Sequence, residues 1–472
     1  MSAFINSFSF SAESVLLTKK YFEELNQELL PAYKKILLAK DASELNKSLF
    51  DDQLSPYFNM SLAYGENKSR QLNRFVPVTS PTKRAQIGIT KATLLGLNIE
   101  ANIFAEQFSN NFLRRSTTIG GALNFSMDLY RDILGRSSRK KYANSKDDLK
   151  IKEMEKVIFS HQLKISLSKL YWNLVANEES IKITKMLIEQ AKRQVSITTE
   201  KVRSSVSDRG TLARMKSILA SRQGSLNTLH YQRSNLHRSL RELIPDLQGK
   251  EIYMGLYDID QTIKELFICT DEIEKMTSAP MEMTVLDDIA AIVQQIKKRE
   301  ILLAEAHNDI DLKLIAQTQF NGKDFGFEDG FQNLKDDPRA VAQIGIELRA
   351  PIGSQLTKSA KIRKKIGQYQ KEISLKETQA KLDAYHMEII NSVKVLKAAL
   401  KNQKENNISL KTSLETSRQK FSQARISIEQ LVGEEDAYFA SELDNIRTNL
   451  SILMTILDYF SVFNQTKCSL NS

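Results

Sequence analysis

The sequence predicts a mainly α-helical protein with a transmembrane β-barrel section, built on a duplicated unit of helix, β-hairpin, long helix and shorter helix. Three observations predict it. Apolar residues recur every seven positions over stretches longer than a globular helix needs. Runs of strict two-residue alternation stand beside them. The whole order then occurs a second time, offset by roughly 220 residues, which is the mark of an internal duplication.

Composition agrees with long, uninterrupted elements. The 472 residues hold 17 Gly and 8 Pro, below the average usage of about 7% and 5%, so a turn-rich sandwich is disfavoured. Hydrophobic residues make up 41% of the chain and charged residues 26%, too apolar a balance for disorder. The formal net charge of +10 permits contact with nucleic acid or anionic lipid and requires neither. Two cysteines, Cys269 and Cys468, make neither a disulfide framework nor a four-cysteine zinc site. No run approaches the roughly 18 to 20 apolar residues of a spanning helix; the best, Ile452 to Phe463, contains Asp458. Barrel strands escape that test, because alternation keeps their hydropathy low. The opening MSAFINSFSFSAES has no basic run before Lys19, so no secretory signal is read there.

Ala12 to Leu45 reads as a helix, and Asn46 to Lys83 as a mixed segment broken by Pro56, Pro77 and Pro81. From Arg84 the period becomes two: Ile87 and Ile89, then Leu95, Leu97, Ile99, Ala101 and Ile103, against Gln86, Gly88, Thr90, Asn98 and Glu100. A second run sets Leu123, Phe125, Met127 and Leu129 against Ala122, Asn124, Ser126 and Asp128. Together they predict a strand pair with one apolar and one polar face. After Gly135 and the basic run Arg136 to Lys141 there is no proline before Pro245, and Leu167, Leu174, Ile181, Ile188, Val195 and Val202 form a heptad seam with Leu163 and Leu170 in the companion register. A helix from Ser138 to Ser204 spans on the order of 100 Å at 1.5 Å per residue. The polar break Ser204 to Gly210 precedes a second helix, which Pro245 stops.

After the less periodic connector from Asp246 to Ala279 the order returns. A helix runs from near Met283 to Asn308. Leu312, Leu314, Ala316, Thr318 and Phe320 then alternate with polar neighbours, as do Ala342, Ile344, Ile346, Leu348 and Ala350. Pro351 and Gly353 end that strand, and the basic run Lys358 to Lys365 opens another long helix. Its seam reads Ile389, Val393, Leu396, Leu400, Leu410, Leu414, Phe421, Ala424, Ile428 and Leu431. The first repeat is thus placed at 1–245 (strands about 84–129, long helices about 138–245) and the second at 284–472 (strands about 311–350, long helices about 358–463), with 246–283 as connector.

Each strand of about ten residues reaches ~33 Å, enough for a tilted path through a bilayer. Four strands cannot close a barrel, and lipid does not tolerate an open sheet edge, so several copies must assemble; two copies give eight strands and three give twelve. The runner-up reading is a soluble coiled-coil scaffold whose strands form a small sheet outside any membrane.

The order of elements resembles the TolC family of outer-membrane efflux channels over approximately residues 84–245 and 284–463. In that family the second strand of each half ends in an apolar, Pro, apolar turn before a basic helix start. The stretch from Ile346 to Lys365, IELRAPIGSQLTKSAKIRKK, follows this pattern, whereas Leu123 to Lys141 carries Asp128 where proline is frequent. The family's long helices turn back through a loose Tyr-x-x-Gly motif followed by a hydroxyl, an acidic and an apolar residue. Here Phe421 takes the aromatic position, Ala424 the glycine, Ser427 the hydroxyl and Leu431 the apolar position, with Gln430 where aspartate is common. The first half, Val202 to Arg214, keeps the length and has Arg203 in place of glycine.

The resemblance implies a homotrimer with a twelve-stranded barrel in outer-membrane lipid and an α-helical barrel in the periplasm of a Gram-negative type envelope. It implies passive export, in multidrug efflux or type I secretion, driven by an inner-membrane pump through a periplasmic adaptor (a membrane fusion protein). The adaptor would dock at the tip formed by Val202, Arg203, Ser204 and Ser205 and by Phe421, Ala424, Arg425, Ser427 and Leu431. Acidic rings near that tip narrow the pore of relatives. Glu429, Glu434, Glu435 and Asp436 are the candidates here, since three copies of such a cluster around one axis repel one another and attract cations.

No cofactor, metal or enzymatic activity is expected. The five histidines, His161, His230, His237, His307 and His386, make no HExxH pair, and neither a nucleophile elbow nor a catalytic Cys-His signature is present. The basic runs after each second strand are read as meeting lipid head groups or the barrel rim rather than nucleic acid. Trp172 is read as core.

Overall fold

The computed structural model describes residues 14–67, 79–110, 115–273, 285–307, 311–350 and 354–463. The residues before Ser14, together with Pro77, Met283, Asn308, Pro351, Gly353 and Cys468, lie outside them. In chain order the first half holds β1 (Ser14–Leu17), α1 (Lys19–Glu23), α2 (Pro31–Gln53), β2 (Tyr57–Gly65), β3 (Thr82–Ala92), β4 (Leu97–Phe108), β5 (Ser116–Asp128), α3 (Arg136–Arg203) and α4 (Arg209–Leu243). There follow β6 (Glu251–Met254), α5 (Ile259–Ile273), α6 (Val285–His307), β7 (Asp311–Asp324), α7 (Phe327–Asp336), β8 (Arg339–Arg349), α8 (Ser354–Ser422) and α9 (Ile428–Val462). Two compact units divide the chain, a sheet unit of Ala39–Met154 and Asp288–Lys376 and a helical unit of Met1–Leu38, Glu155–Asp287 and Glu377–Ser472. Each unit draws on both halves of the sequence.

The duplicated order is present, with corrections inside it. The helix expected over Ala12 to Leu45 is instead β1, α1, a 3₁₀ turn and α2. Thr18 caps α1, accepting a hydrogen bond from the Tyr21 amide at 3.2 Å, and Pro31 opens a new helix, the position where its missing N–H costs nothing. α2 then runs to Gln53, since no breaker intervenes before Pro56.

The sheet has six strands in the order β2-β3-β4-β5-β7-β8, not the four per copy behind the twelve-stranded expectation. One extra strand is β2, in the segment read as mixed. The other arises because the run from Arg84 to Ile103 is two strands. A turn at Thr93–Gly96, closed by the Gly96 amide on the Thr93 carbonyl at 3.0 Å, folds β3 back on β4, and Gly96 takes a left-handed φ of 72°. The register pairs Ala92 with Asn98 and Ile87 with Ile103, so apolar parity survives the turn and the two strands read as one.

All neighbours in this sheet are antiparallel. One row runs Met60, Ile87, Ile103, Gly121, Phe320, Ala340, and the next residue along gives Ser61, Gln86, Phe104, Gly120, Asn321, Arg339. Most of the first face is exposed, with Met60 at 60%, Ile103 at 69% and Ile344 at 78%, while Thr117 and Ile119 at its far end are buried. On the second, Asn102, Phe104, Thr118, Ala122 and Asn321 are buried. Asn102 and Asn124 there donate to the Glu100 carboxylate at 3.2 and 3.3 Å. Apolar side chains outside and polar ones covered reverse the order of a water-soluble sheet.

The register also puts the strand ends that join α2, α3, α6 and α8 at one end of the sheet. Tyr57 of β2, Asp128 of β5, Asp311 of β7 and Arg349 of β8 all lie there, and the strand ends Gly65, Thr82, Phe108, Ser116, Asp324 and Arg339 lie at the other. Asp128, in the place of the family proline, makes the turn by accepting from the Tyr130 and Arg131 amides at 2.9 and 2.7 Å. Arg131 in turn donates to Asp311 at 3.0 Å. At the far end α7 packs over β5 and β7, with Gly330 facing Ile119, and leaves Phe325, Phe327 and Phe331 exposed.

The helical unit is built on the heptad seams. Leu163, Leu167, Leu174, Ile181 and Ile188 of α3 are buried, as are Ile389, Val393, Leu400 and Leu414 of α8. Ile428 and Leu431 belong to α9 rather than to α8, beyond the turn that ends α8. Trp172 is core, 5.0 Å centroid to centroid from Tyr171. The apolar C-terminal stretch Ile452, Leu453, Ile456, Leu457, Tyr459, Phe460 and Phe463 packs into the same cluster. β1 and β6 form a parallel pair beside it, with Leu17 fully buried. Among the described residues no helix is long and apolar enough to cross a membrane.

Candidate functional site

The two turns of the helical unit, α3 to α4 and α8 to α9, share one geometry. α3 ends with Val206 N–H on the Lys201 carbonyl at 2.8 Å and Ser205 N–H on the Val202 carbonyl at 3.1 Å; α8 ends with Arg425 N–H on Lys420 at 2.8 Å and Ala424 N–H on Phe421 at 2.9 Å. Both are Schellman closures, whose C′ residue must be left-handed. Ser205 and Ala424 hold it, with φ of 58° and 57°. The position matching the family glycine in the first half is therefore Ser205, not Arg203, which still lies in α3.

Each turn is followed by a capped helix. The Asp208 carboxylate accepts from the Thr211 amide at 2.8 Å, and the bonds from Thr211 hold its carboxyl below the ordinary range. Ser427 and Gln430 form a reciprocal capping box, each bond 3.2 Å. Gln430, where the family often has aspartate, closes that box. Sequence reasoning passed over Asp208, although Asp three residues before Thr211 at a helix start is a legible cap signal. The Thr211 hydroxyl stands 2.9 Å from Asp208 and 3.2 Å from Glu429, and its single proton serves one of them at a time.

Of the expected tip residues, Arg203, Ser204, Ser205, Ala424, Arg425 and Ser427 are exposed, Val202 and Phe421 half-buried and Leu431 buried. Phe421 packs near Met215, Ile428 and Val432 and lies under the Lys201 ammonium, 4.9 Å from ring centroid to nitrogen. The second turn is thus braced from below by Phe421, and the surface of the two turns is mainly polar, with Val206 of the first 71% exposed.

The four acidic candidates separate by environment. Glu429 is half-buried beside Thr211. Glu434 is half-buried and accepts from the Ser413 hydroxyl at 2.8 Å. Asp436 is exposed and pairs with Arg222, itself buried and donating to the Leu187 carbonyl at 2.9 Å. Glu435 is buried at 5% exposure, accepts from Gln194 and lies 3.4 Å from Arg418. Burial raises its carboxyl above the ordinary range, while Arg418, Arg222 and Gln194 oppose the shift. Glu435 therefore belongs to the helix packing of its own chain, and Glu429, Glu434 and Asp436 are the carboxylates within reach of solvent. Among the described residues no group of His, Cys, Asp and Glu could hold a metal ion.

No family model matches the chain, and no curated protein matches it. Solved structures do. CusC, described in connection with folding and transmembrane channel formation, is 12% identical, with a TM-score of 0.65 over 95% of this chain and 92% of its own. The CmeC outer membrane channel of Campylobacter jejuni is 15% identical, with a TM-score of 0.65 over 96% and 89%. The MtrE outer membrane channel of Neisseria gonorrhoeae, solved in its open state, is 12% identical, with a TM-score of 0.62 over 94% and 88%. The chain has the fold of these outer-membrane channels, the architecture that its resemblance to the TolC family implies.

Proposed function

We propose that the chain is one protomer of a homotrimeric outer-membrane export duct, coupled through a periplasmic adaptor to an inner-membrane pump. The sheet unit would sit in outer-membrane lipid and the helical unit in the periplasm. The observation that carries this reading is the sheet's reversed polarity. Phe58, Met60, Leu62, Ile103, Ile344, Ile346 and Leu348 are exposed on one face while Asn102, Thr118 and Asn321 are buried on the other. Such a face suits contact with lipid tails. Strands of 9 to 14 residues meet the roughly 9 to 11 tilted residues that a bilayer crossing requires. The likeness in fold to channel proteins supports the same reading.

On this reading the exposed residues of the two turns, Arg203, Ser204, Ser205, Ala424, Arg425 and Ser427, offer the adaptor its docking surface. Val202, Phe421 and Leu431 support those turns from within. Glu429, Glu434 and Asp436 line the narrowing for passing cations, and Glu435 holds the helices that carry them. A soluble scaffold would leave the exposed apolar face without a partner. Cell fractionation tests the choice. The account predicts a heat-resistant trimer extracted only by detergent from outer membranes; a freely soluble oligomer would overturn it.

A further inference from the structure

We propose that the barrel is eighteen-stranded, each copy contributing all six strands, with β8 of one copy pairing antiparallel with β2 of the next. The inference rests on the reading of the chain as a trimeric membrane channel and adds to it the interface and the bore.

A twelve-stranded ring needs β4 and β8 as the outer strands of each copy, but β4 is not an outer strand. It is paired with β3 along its whole length, from Thr82–Phe108 to Ala92–Asn98, and β3 is paired with β2. The hairpin is also seated on the rim. A Cβ at Gly135, in the linker from β5 to α3, would strike the Leu94 carbonyl of the β3–β4 turn, and one at Gly96 would strike the Asp132 carbonyl. The sheet's terminal strands are β2 and β8, and they do not pair with each other. Six strands are fewer than the roughly eight of the smallest membrane barrels, so the two edges must meet other copies, because lipid leaves no edge open.

The edges fit one another. β2 leaves the helix end of the sheet and β8 returns to it, so their pairing across copies is antiparallel, and an even strand number per copy keeps the alternation around the ring. Aligning the helix ends sets Tyr57 opposite Arg349 of the next copy. Phe58 then faces Leu348, Met60 faces Ile346 and Leu62 faces Ile344, and all six are exposed by 60% or more. Asn59, Ser61 and Ala63 face Glu347, Gly345 and Gln343 on the polar side. β2 carries no charge and no proline over YFNMSLAYG, the devices by which soluble proteins protect a free edge strand. With strands about 4.8 Å apart and tilted by about 40°, eighteen strands close at a backbone diameter of ~36 Å, against ~24 Å for twelve. The bore would pass bulkier cargo than a twelve-stranded ring.

Disulfide trapping in native outer membranes tests the seam. With Cys269 and Cys468 replaced by Ser, the full chain carries Ser61→Cys together with Gly345→Cys, or with Gln343→Cys or Glu347→Cys to allow for a register slip. Covalent dimers and trimers after oxidation, strongest for the Gly345 pair, are the expected result. An intact trimer in the membrane that none of the three pairs cross-links overturns the eighteen-stranded ring and leaves the channel reading standing; absence of any membrane trimer from the unmodified chain overturns both. Electron cryo-microscopy of the unmodified trimer decides without mutation, since eighteen strands support the inference and twelve refute it.

Discussion

Ser205 and Ala424 hold a left-handed backbone without glycine, 219 positions apart, as are the caps Asp208 and Ser427 that follow them. An L-residue in that conformation costs roughly 1 kcal/mol that glycine avoids. Ala424→Gly is expected to raise the unfolding midpoint of the purified protein by an amount corresponding to about 1 kcal/mol; a lowered midpoint would contradict the Schellman geometry. Glu435 makes a pH-dependent prediction. Its raised value means that the folded chain holds the proton more tightly than the unfolded chain. Its contribution to stability is therefore full below the ordinary value of 4.5 and is lost as pH rises through the raised value. Glu435→Gln cannot ionise, so its Tm relative to the parent should be higher at pH 7 than at pH 4, and a difference that does not change with pH would contradict the burial argument. Glu434→Gln, at a carboxylate within reach of solvent, is expected instead to weaken cation preference in planar bilayers while leaving Tm within about 1 °C, a change of the size usual for surface substitutions.

At the scale of elements the long helices carry the fold, and the sequence makes them legible for a physical reason. A seam must be apolar every seven residues to stay buried, and Leu167 and Leu174 are indeed 1% and 0% exposed. Leu174→Ala should cost about 2 to 5 kcal/mol in thermal unfolding, whereas Ile197→Ala, at 40% exposure, should cost under about 1. Elements were lost where chemistry was local rather than periodic. β2 alternates as well as β3 does, but Pro56, Pro77 and Pro81 around it read as breakers. β3 and β4 merged because the Thr93–Gly96 turn preserves parity. The left-handed residue of the first tip turn was misplaced to Arg203 because no glycine marks Ser205. Which acidic residue is buried could not be read at all, since Glu434, Glu435 and Asp436 are consecutive and only the packing of α9 against Gln194 and Arg418 separates them. The Gly135 packing gives an element-scale test. Gly135→Ala should sharply reduce trimer yield in outer membranes, because its methyl group would displace the β3–β4 turn.

For the whole molecule, everything follows from a sheet with one face apolar and largely exposed and the other rich in polar residues, of which Asn102, Thr118 and Asn321 are buried. The strand ends that join α2, α3, α6 and α8 lie at one end, and α7 lies at the other with Phe327, Phe331 and the preceding Phe325 exposed, as aromatic residues do at a membrane interface. The most direct test scans β8 with single nitroxide labels from Arg339 to Arg349 in reconstituted vesicles and measures collision with oxygen, which partitions into lipid, and with a water-soluble nickel chelate. The account predicts a period of two, with oxygen access highest at 340, 342, 344, 346 and 348 and chelate access highest at the residues between. Equal access of the chelate to both parities would contradict it.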